Sequence, residues 1–133
     1  IQRYVLAVHQ DNTGAVWAGA GPGGLHRWKD GQWKQFTLSL NGLFPTIHHI
    51  EQMPDSHLLL ATSLGLFRFD TRTGKGDPIP VRGHNGLLIV WTVAAGPNGD
   101  FWAGTKAAGL LRISPDGAYA ERPPSGIPAD ADI

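Results

Sequence analysis

Short apolar runs separated by glycine, asparagine and aspartate turns fill this chain, and nowhere is a helical period of 3.6 sustained. Tyr4-Val5-Leu6-Ala7-Val8 is apolar and β-branched, and short enough for a strand covered on both faces. Asp11-Asn12-Thr13-Gly14 follows, a hairpin signal because asparagine and aspartate tolerate left-handed backbone and glycine adopts it without a Cβ penalty. Residues 15–20 read as a second strand, Gly21-Pro22-Gly23-Gly24 interrupts it, and residues 25–28 read as a third. After the turn Lys29-Asp30-Gly31, residues 32–37 alternate polar and apolar as a half-exposed outer strand expected at a sheet margin. The unit is one four-stranded antiparallel meander.

The same text recurs twice. Residues 46–50, 57–62, 65–68 and 76–81 repeat the pattern with turns at Pro54-Asp55-Ser56 and at residues 70–74, and residues 88–94, 100–105, 109–113 and 118–121 repeat it again. The fourth strand of the second copy contains Pro78 and Pro80, which only a sheet edge tolerates. Trp17, Leu59 and Trp102 lie 42 and 43 residues apart; Val8, Ile50 and Val93 each precede them by nine, and Gly14, Ser56 and Gly99 share one turn slot. A period of this size made of strands and turns indicates propeller blades rather than a helical solenoid. The expectation is an all-β chain of three blades at about 4–37, 45–81 and 88–122, part of a larger β-propeller. Residues 123–133 would be a tail or the lead into a further unit.

The repeat is clearest in Asp100-Phe101-Trp102-Ala103-Gly104-Thr105 followed by Gly109-Leu110-Leu111-Arg112. It resembles the two-component regulator propeller repeat, and degenerate copies cover nearly everything up to Glu121. The resemblance implies an extracytoplasmic or periplasmic sensor region of a bacterial hybrid histidine kinase or diguanylate cyclase that detects a carbohydrate or another small ligand. It also brings an enzyme relative into view, the streptogramin lyase type of propeller. The second copy departs from the pattern, with Met53-Pro54-Asp55-Ser56 at the turn and Leu59 in the tryptophan slot.

Charge and composition then remove several classes of partner. Eleven basic residues balance eleven acidic ones, so no basic footprint for nucleic acid or an anionic membrane exists. Cysteine is absent, which excludes disulfides, thiolate catalysis and cysteine-ligated zinc. No apolar run reaches the ~20 residues of a membrane span. Six histidines raise the question of a metal, with His48-His49 the densest pair, but adjacent strand residues point to opposite faces and no metal site is expected. No catalytic residues are assigned: Asp55-Ser56-His57 are sequence neighbours, whereas triads converge from separate elements. No cofactor is expected either, since the glycines at 21–24 precede a strand and lack the helix dipole of a phosphate cradle.

Candidate binding residues are therefore sought where the repeat breaks. Trp17 and Trp102 recur with the repeat and read as packing between blades, and Arg27, Arg68 and Arg112, which follow each Gly-Leu, read as structural partners for a carbonyl or acid of their own or the next blade. Trp91 does not recur; Leu6 and His48 fill its slot. In a meander the connections alternate between the two ends of the sheet. The variable crossings at 38–45 and 82–87 therefore share an end with the second-to-third connections, and recognition favours such loops. Asn41, Thr46, His48, His84, Asn85, Trp91 and Lys106 are the ligand-binding candidates on this end or at the channel mouth. A propeller that only docks proteins is the remaining alternative. Propellers close with 4 to 8 blades, so three imply further blades from the same parent chain or from copies of this one, without which the Val8, Trp17, Leu25 and Val93, Trp102, Leu110 sets would in part meet water.

Overall fold

The computed structural model describes residues 5–22 and 24–123; the expectations for Tyr4, Gly23 and residues 124–133 lie outside them. Among the described residues there is no helix. Strands β1 (Val5–Gln10), β2 (Val16–Ala20), β3 (Gly24–Lys29) and β4 (Gln32–Thr37) form the first sheet. Strands β5 (Ile47–Met53), β6 (His57–Thr62), β7 (Gly65–Asp70) and β8 (Lys75–Pro78) form the second, and β9 (Val90–Ala95), β10 (Phe101–Thr105), β11 (Leu110–Ile113) and β12 (Ala120–Glu121) the third. Each sheet is an antiparallel meander, and the inner strands β1, β5 and β9 adjoin in that order, so the sheets stack face to face as successive propeller blades.

Turn chemistry explains the hairpins. The shared turn slot is left-handed in all three copies, with φ of 90° at Gly14, 62° at Ser56 and 81° at Gly99. Ser56 thus adopts a backbone that its Cβ disfavours, which the departure of the second copy from the repeat foreshadows. The four-strand reading needs one correction. Residues 76–81 do not run as a single outer strand: β8 ends at Pro78, and Val81 pairs in parallel with Ala120 of the third sheet. Pro78 and Pro80 lack the N–H groups that a continuous ladder needs, and the Pro80 carbonyl instead accepts from Ala120 N–H at 2.8 Å.

Two buried seams hold the blades together. In the first, Ala7, Trp17 and Leu25 of blade 1 meet Ile50, Leu58, Leu60, Phe67 and Phe69 of blade 2. In the second, Leu59, Ala61 and Leu66 of blade 2 meet Val93, Phe101, Ala103 and Leu111 of blade 3. Burying each such chain contributes roughly 1.5–3 kcal/mol. Alternation along each strand gives every blade two faces, and this splits the sets expected to be exposed. Val8, on the upstream face of blade 1, is 69% exposed, while Trp17 and Leu25 on its downstream face are fully buried. In blade 3 the order reverses: Val93 is buried, and Trp102 and Leu110 are only half-buried.

Candidate functional site

Each inner strand carries a β-bulge at the same repeat position. Pairing steps from Val5/Ala20 to Ala7/Gly19 in blade 1, from Ile47/Thr62 to His49/Ala61 in blade 2, and from Val90/Thr105 to Thr92/Gly104 in blade 3. The extra residues are Leu6, His48 and Trp91, the slot that the repeat leaves variable. A bulge inserts a residue without a cross-strand partner and re-aims its side chain. Leu6 and Trp91 are 50% and 44% exposed, which is unusual for large apolar groups on an inner strand.

The bulges bring two of the predicted residues together. The His48 ring stacks on Trp91 with centroids 4.6 Å apart and planes inclined by 26°. His48 Nδ1 lies 2.8 Å from the Val90 carbonyl oxygen. A carbonyl only accepts, so Nδ1 carries a proton and the neutral ring leaves Nε2 as an acceptor. His49 has the opposite arrangement. Its Nδ1 accepts the Val93 N–H at 3.3 Å and therefore also accepts from the Thr92 hydroxyl at 2.9 Å, which leaves Nε2–H as a donor. Further along β5, Gln52 Oε1 lies 3.0 Å from His9 Nε2, linking β1 to β5. The inner wall thus combines an exposed indole face with one imidazole acceptor and one imidazole donor.

This arrangement overturns the strict alternation used to separate His48 from His49. At the bulge the period of two fails, and both rings reach β9. His49 and Thr92 are accordingly residues that the sequence reading passed over. Comparing the three copies position by position could have marked slot 49, since Ala7, His49 and Thr92 differ in kind.

The other predicted residues fall elsewhere. Asn41 sits with φ of 52° ahead of Gly42 at 80° in a two-residue turn closed by the Leu40–Leu43 bridge, and this backbone alone accounts for Asn-Gly there. Thr46 N–H donates to Ser63 Oγ at 2.9 Å at the entry to β5, and exposed Lys106 donates its N–H to the Ile89 carbonyl at 2.9 Å at the entry to β9. His84 and Asn85 border a separate cavity of about 290 Å³ with Leu40, Leu64 and Leu87, and His84 Nε2 is buried there without a partner among the described residues. That cavity shares no lining residue with the His48–Trp91 stack. Among the described residues no three histidine or acidic side chains group as a metal site would require.

The repeated arginines have three different fates. Arg68 Nη1 donates to the Asp116 carbonyl of the next blade at 3.0 Å, and Arg112 Nη2 lies 3.4 Å from Glu121 of its own blade. Arg27 departs from the expectation: among the described residues it has no such partner and instead lies over the rings of Trp17 and Phe36, 5.8 and 5.6 Å from their centroids.

No protein-family model matches the chain, and no curated protein matches it in sequence. Solved structures do. The extracellular domain of a hybrid two-component system from B. thetaiotaomicron is 25% identical with a TM-score of 0.68, over 89% of this chain. Virginiamycin B lyase from Staphylococcus aureus is 19% identical with a TM-score of 0.67 over 91%, and YCF48 from Cyanidioschyzon merolae 21% identical with a TM-score of 0.65 over 90%. The chain spans 16% of the first of these proteins, 42% of the second and 40% of the third. In build it matches the extracellular domains of hybrid two-component systems, as the resemblance of its repeat to the two-component regulator propeller implies. Lyase propellers share the same architecture.

Proposed function

We propose that this chain is a ligand-binding segment of an extracytoplasmic signalling receptor, and that Trp91, His48 and His49 on the inner wall read a neutral saccharide or a comparably hydroxylated small molecule. The observation that carries this reading is the stack of His48 on Trp91 at coincident bulges, beside a histidine of the opposite tautomer. An indole face suits the C–H face of a pyranose, while an acceptor and a donor a residue apart suit its hydroxyl groups. Balanced charge favours a neutral ligand. The likeness to extracellular receptor domains supports the location and the signalling role.

Calorimetric titration of the intact protein with a panel of neutral oligosaccharides tests it. Trp91→Ala is expected to weaken binding at least ~10-fold, which is ~1.4 kcal/mol, while His84→Ala and Asn85→Ala leave affinity unchanged. Loss of binding in the latter pair alone would move the site to the loop cavity. Absence of any saturable heat across the panel would favour a propeller that docks proteins only.

A further inference from the structure

At the end of the first seam opposite the crossings, the charge pattern of the repeat is inverted. The repeated arginine of each blade faces one residue directly across the outer strand pair. That residue is Asp77 for Arg68 and Glu121 for Arg112, but Lys34 for Arg27. Like charges directly opposite on a sheet repel, and the other two blades show the fold's ordinary remedy, an acid. The next blade offers no remedy either. Where the turn of blade 3 presents the Asp116 carbonyl to Arg68, the turn of blade 2 presents Arg72 to the cavity that Arg27 borders.

That cavity has a volume of about 150 Å³ and is also edged by Lys29 and Ser56. Its one carboxylate, Asp11, is already occupied by the N–H groups of Thr13 and Ala15, the Thr13 hydroxyl and the Trp17 indole, at 2.6 to 3.1 Å. Arg72 is held through Nε by Asp70 at 3.4 Å, which leaves its terminal amino groups open. Arg27 Nε is buried and has no hydrogen-bond partner among the described residues. A buried guanidinium N–H without an acceptor is unfavourable, and the cavity that Arg27 borders adds two further cations, Lys29 and Arg72, against the single, already occupied carboxylate of Asp11.

We infer that this seam cavity is a binding site for a small oxyanion of the phosphate or sulfate kind, held by Arg27 and Arg72 with Lys29 and the Ser56 hydroxyl at its margin and Lys34 across the strand pair from Arg27. Arginine forks match such oxyanions geometrically, and the cavity is large enough for one. The anion supplies the negative charge that Asp77 and Glu121 supply in the other two blades. This site is independent of the inner wall, which lies on the other margin of the blade.

The test is calorimetric titration of the intact protein with millimolar inorganic phosphate and sulfate at constant ionic strength, against chloride. Saturable binding is expected, with one site per copy of this chain. Lys34→Glu, which installs the acid of the other blades, is expected to weaken binding more than 10-fold without loss of thermal stability, and Arg72→Ala to weaken it several-fold. Arg122→Glu makes the same charge change at an exposed position of blade 3 and is expected to bind as the parent does. No saturable binding in the parent protein, or equal binding in Lys34→Glu, overturns the inference. Competition by methyl phosphate identifies a group carried on a larger molecule as an acceptable ligand, and its exclusion identifies the free ion; either outcome supports the site.

Discussion

The seam between blades 1 and 2 is closed around a trio of aromatic rings and the seam between blades 2 and 3 mainly by aliphatic chains, although both use the same repeat positions. Trp17, Phe36 and Phe69 form a trio with all centroid separations at 5.5 Å, and Trp17 Nε1 is tied to Asp11 at 2.8 Å. Leu59 occupies the tryptophan slot of the second seam and packs among Val93, Leu111 and Phe101. The position that accompanies it changes in the opposite sense. Gly19 of the first seam becomes Ala61 in the second, because a Cβ at Gly19 would lie 2.6 Å from Ile47 Cγ2 while Ala61 is accommodated with full burial. The first seam thus gives Ile47 the room that a methyl group at position 19 would take, and the second, with Val90 in the slot of Ile47, holds Ala61 with full burial.

Breaking the aromatic seam has the largest expected effect. Trp17→Ala removes the ring from the trio and should cost about 3–5 kcal/mol in denaturant unfolding of the intact protein. Leu59→Ala, the same slot in the other seam, should fall within about 2–5 kcal/mol. A Trp17→Ala cost well below that of Leu59→Ala would show that the trio does not close its seam. The exchange of small residues sharpens the comparison at intermediate size. Gly19→Ala should destabilise by about 1–3 kcal/mol through overpacking against Ile47, and a neutral effect would mean that the seam has slack.

The smallest effect separates the polar tie from the packing. Burial raises the Asp11 pKa, but the hydrogen bonds from Thr13, Trp17 and the backbone outweigh it and hold the carboxyl below its ordinary 3.8. A lowered folded-state pKa means that the tie contributes fully above the unfolded value and is lost as the pH falls through the folded one. Trp17→Phe keeps most of the ring and removes one donor, so it should cost about 1 kcal/mol near neutral pH. It should also flatten the decline in stability below about pH 4, measured by thermal melts across an acid series. An unchanged acid profile would assign the pKa shift to Thr13 and the backbone alone.

Architecture was legible in the chain because it depends on features that recur. Apolar alternation, a turn slot filled by Gly14, Ser56 and Gly99, and the offsets of 42 and 43 residues are local signals repeated three times, and they specify four strands per unit and their order. Trp91 and the variability of its slot were also readable, because they break a repeat that is otherwise kept. The meeting of His48 with Trp91 was not. It requires a bulge, which no glycine or proline marks, together with the register of β9 beside β5; strict alternation argued for the wrong partition of His48 and His49. Which face of a blade is covered was equally beyond sequence, since Val8 and Trp17 are both apolar and only the stacking of neighbours buries one and exposes the other. The cationic seam has the same origin. Arg27, Lys34 and Arg72 are ordinary surface residues in the linear text, and they become one cationic cluster only when pairing sets Lys34 opposite Arg27 and stacking brings the turn of blade 2 against blade 1. Sequence determined the repeating unit because local turn and strand preferences act over a few residues; tertiary structure decided the sites because they arise where separate repeats meet.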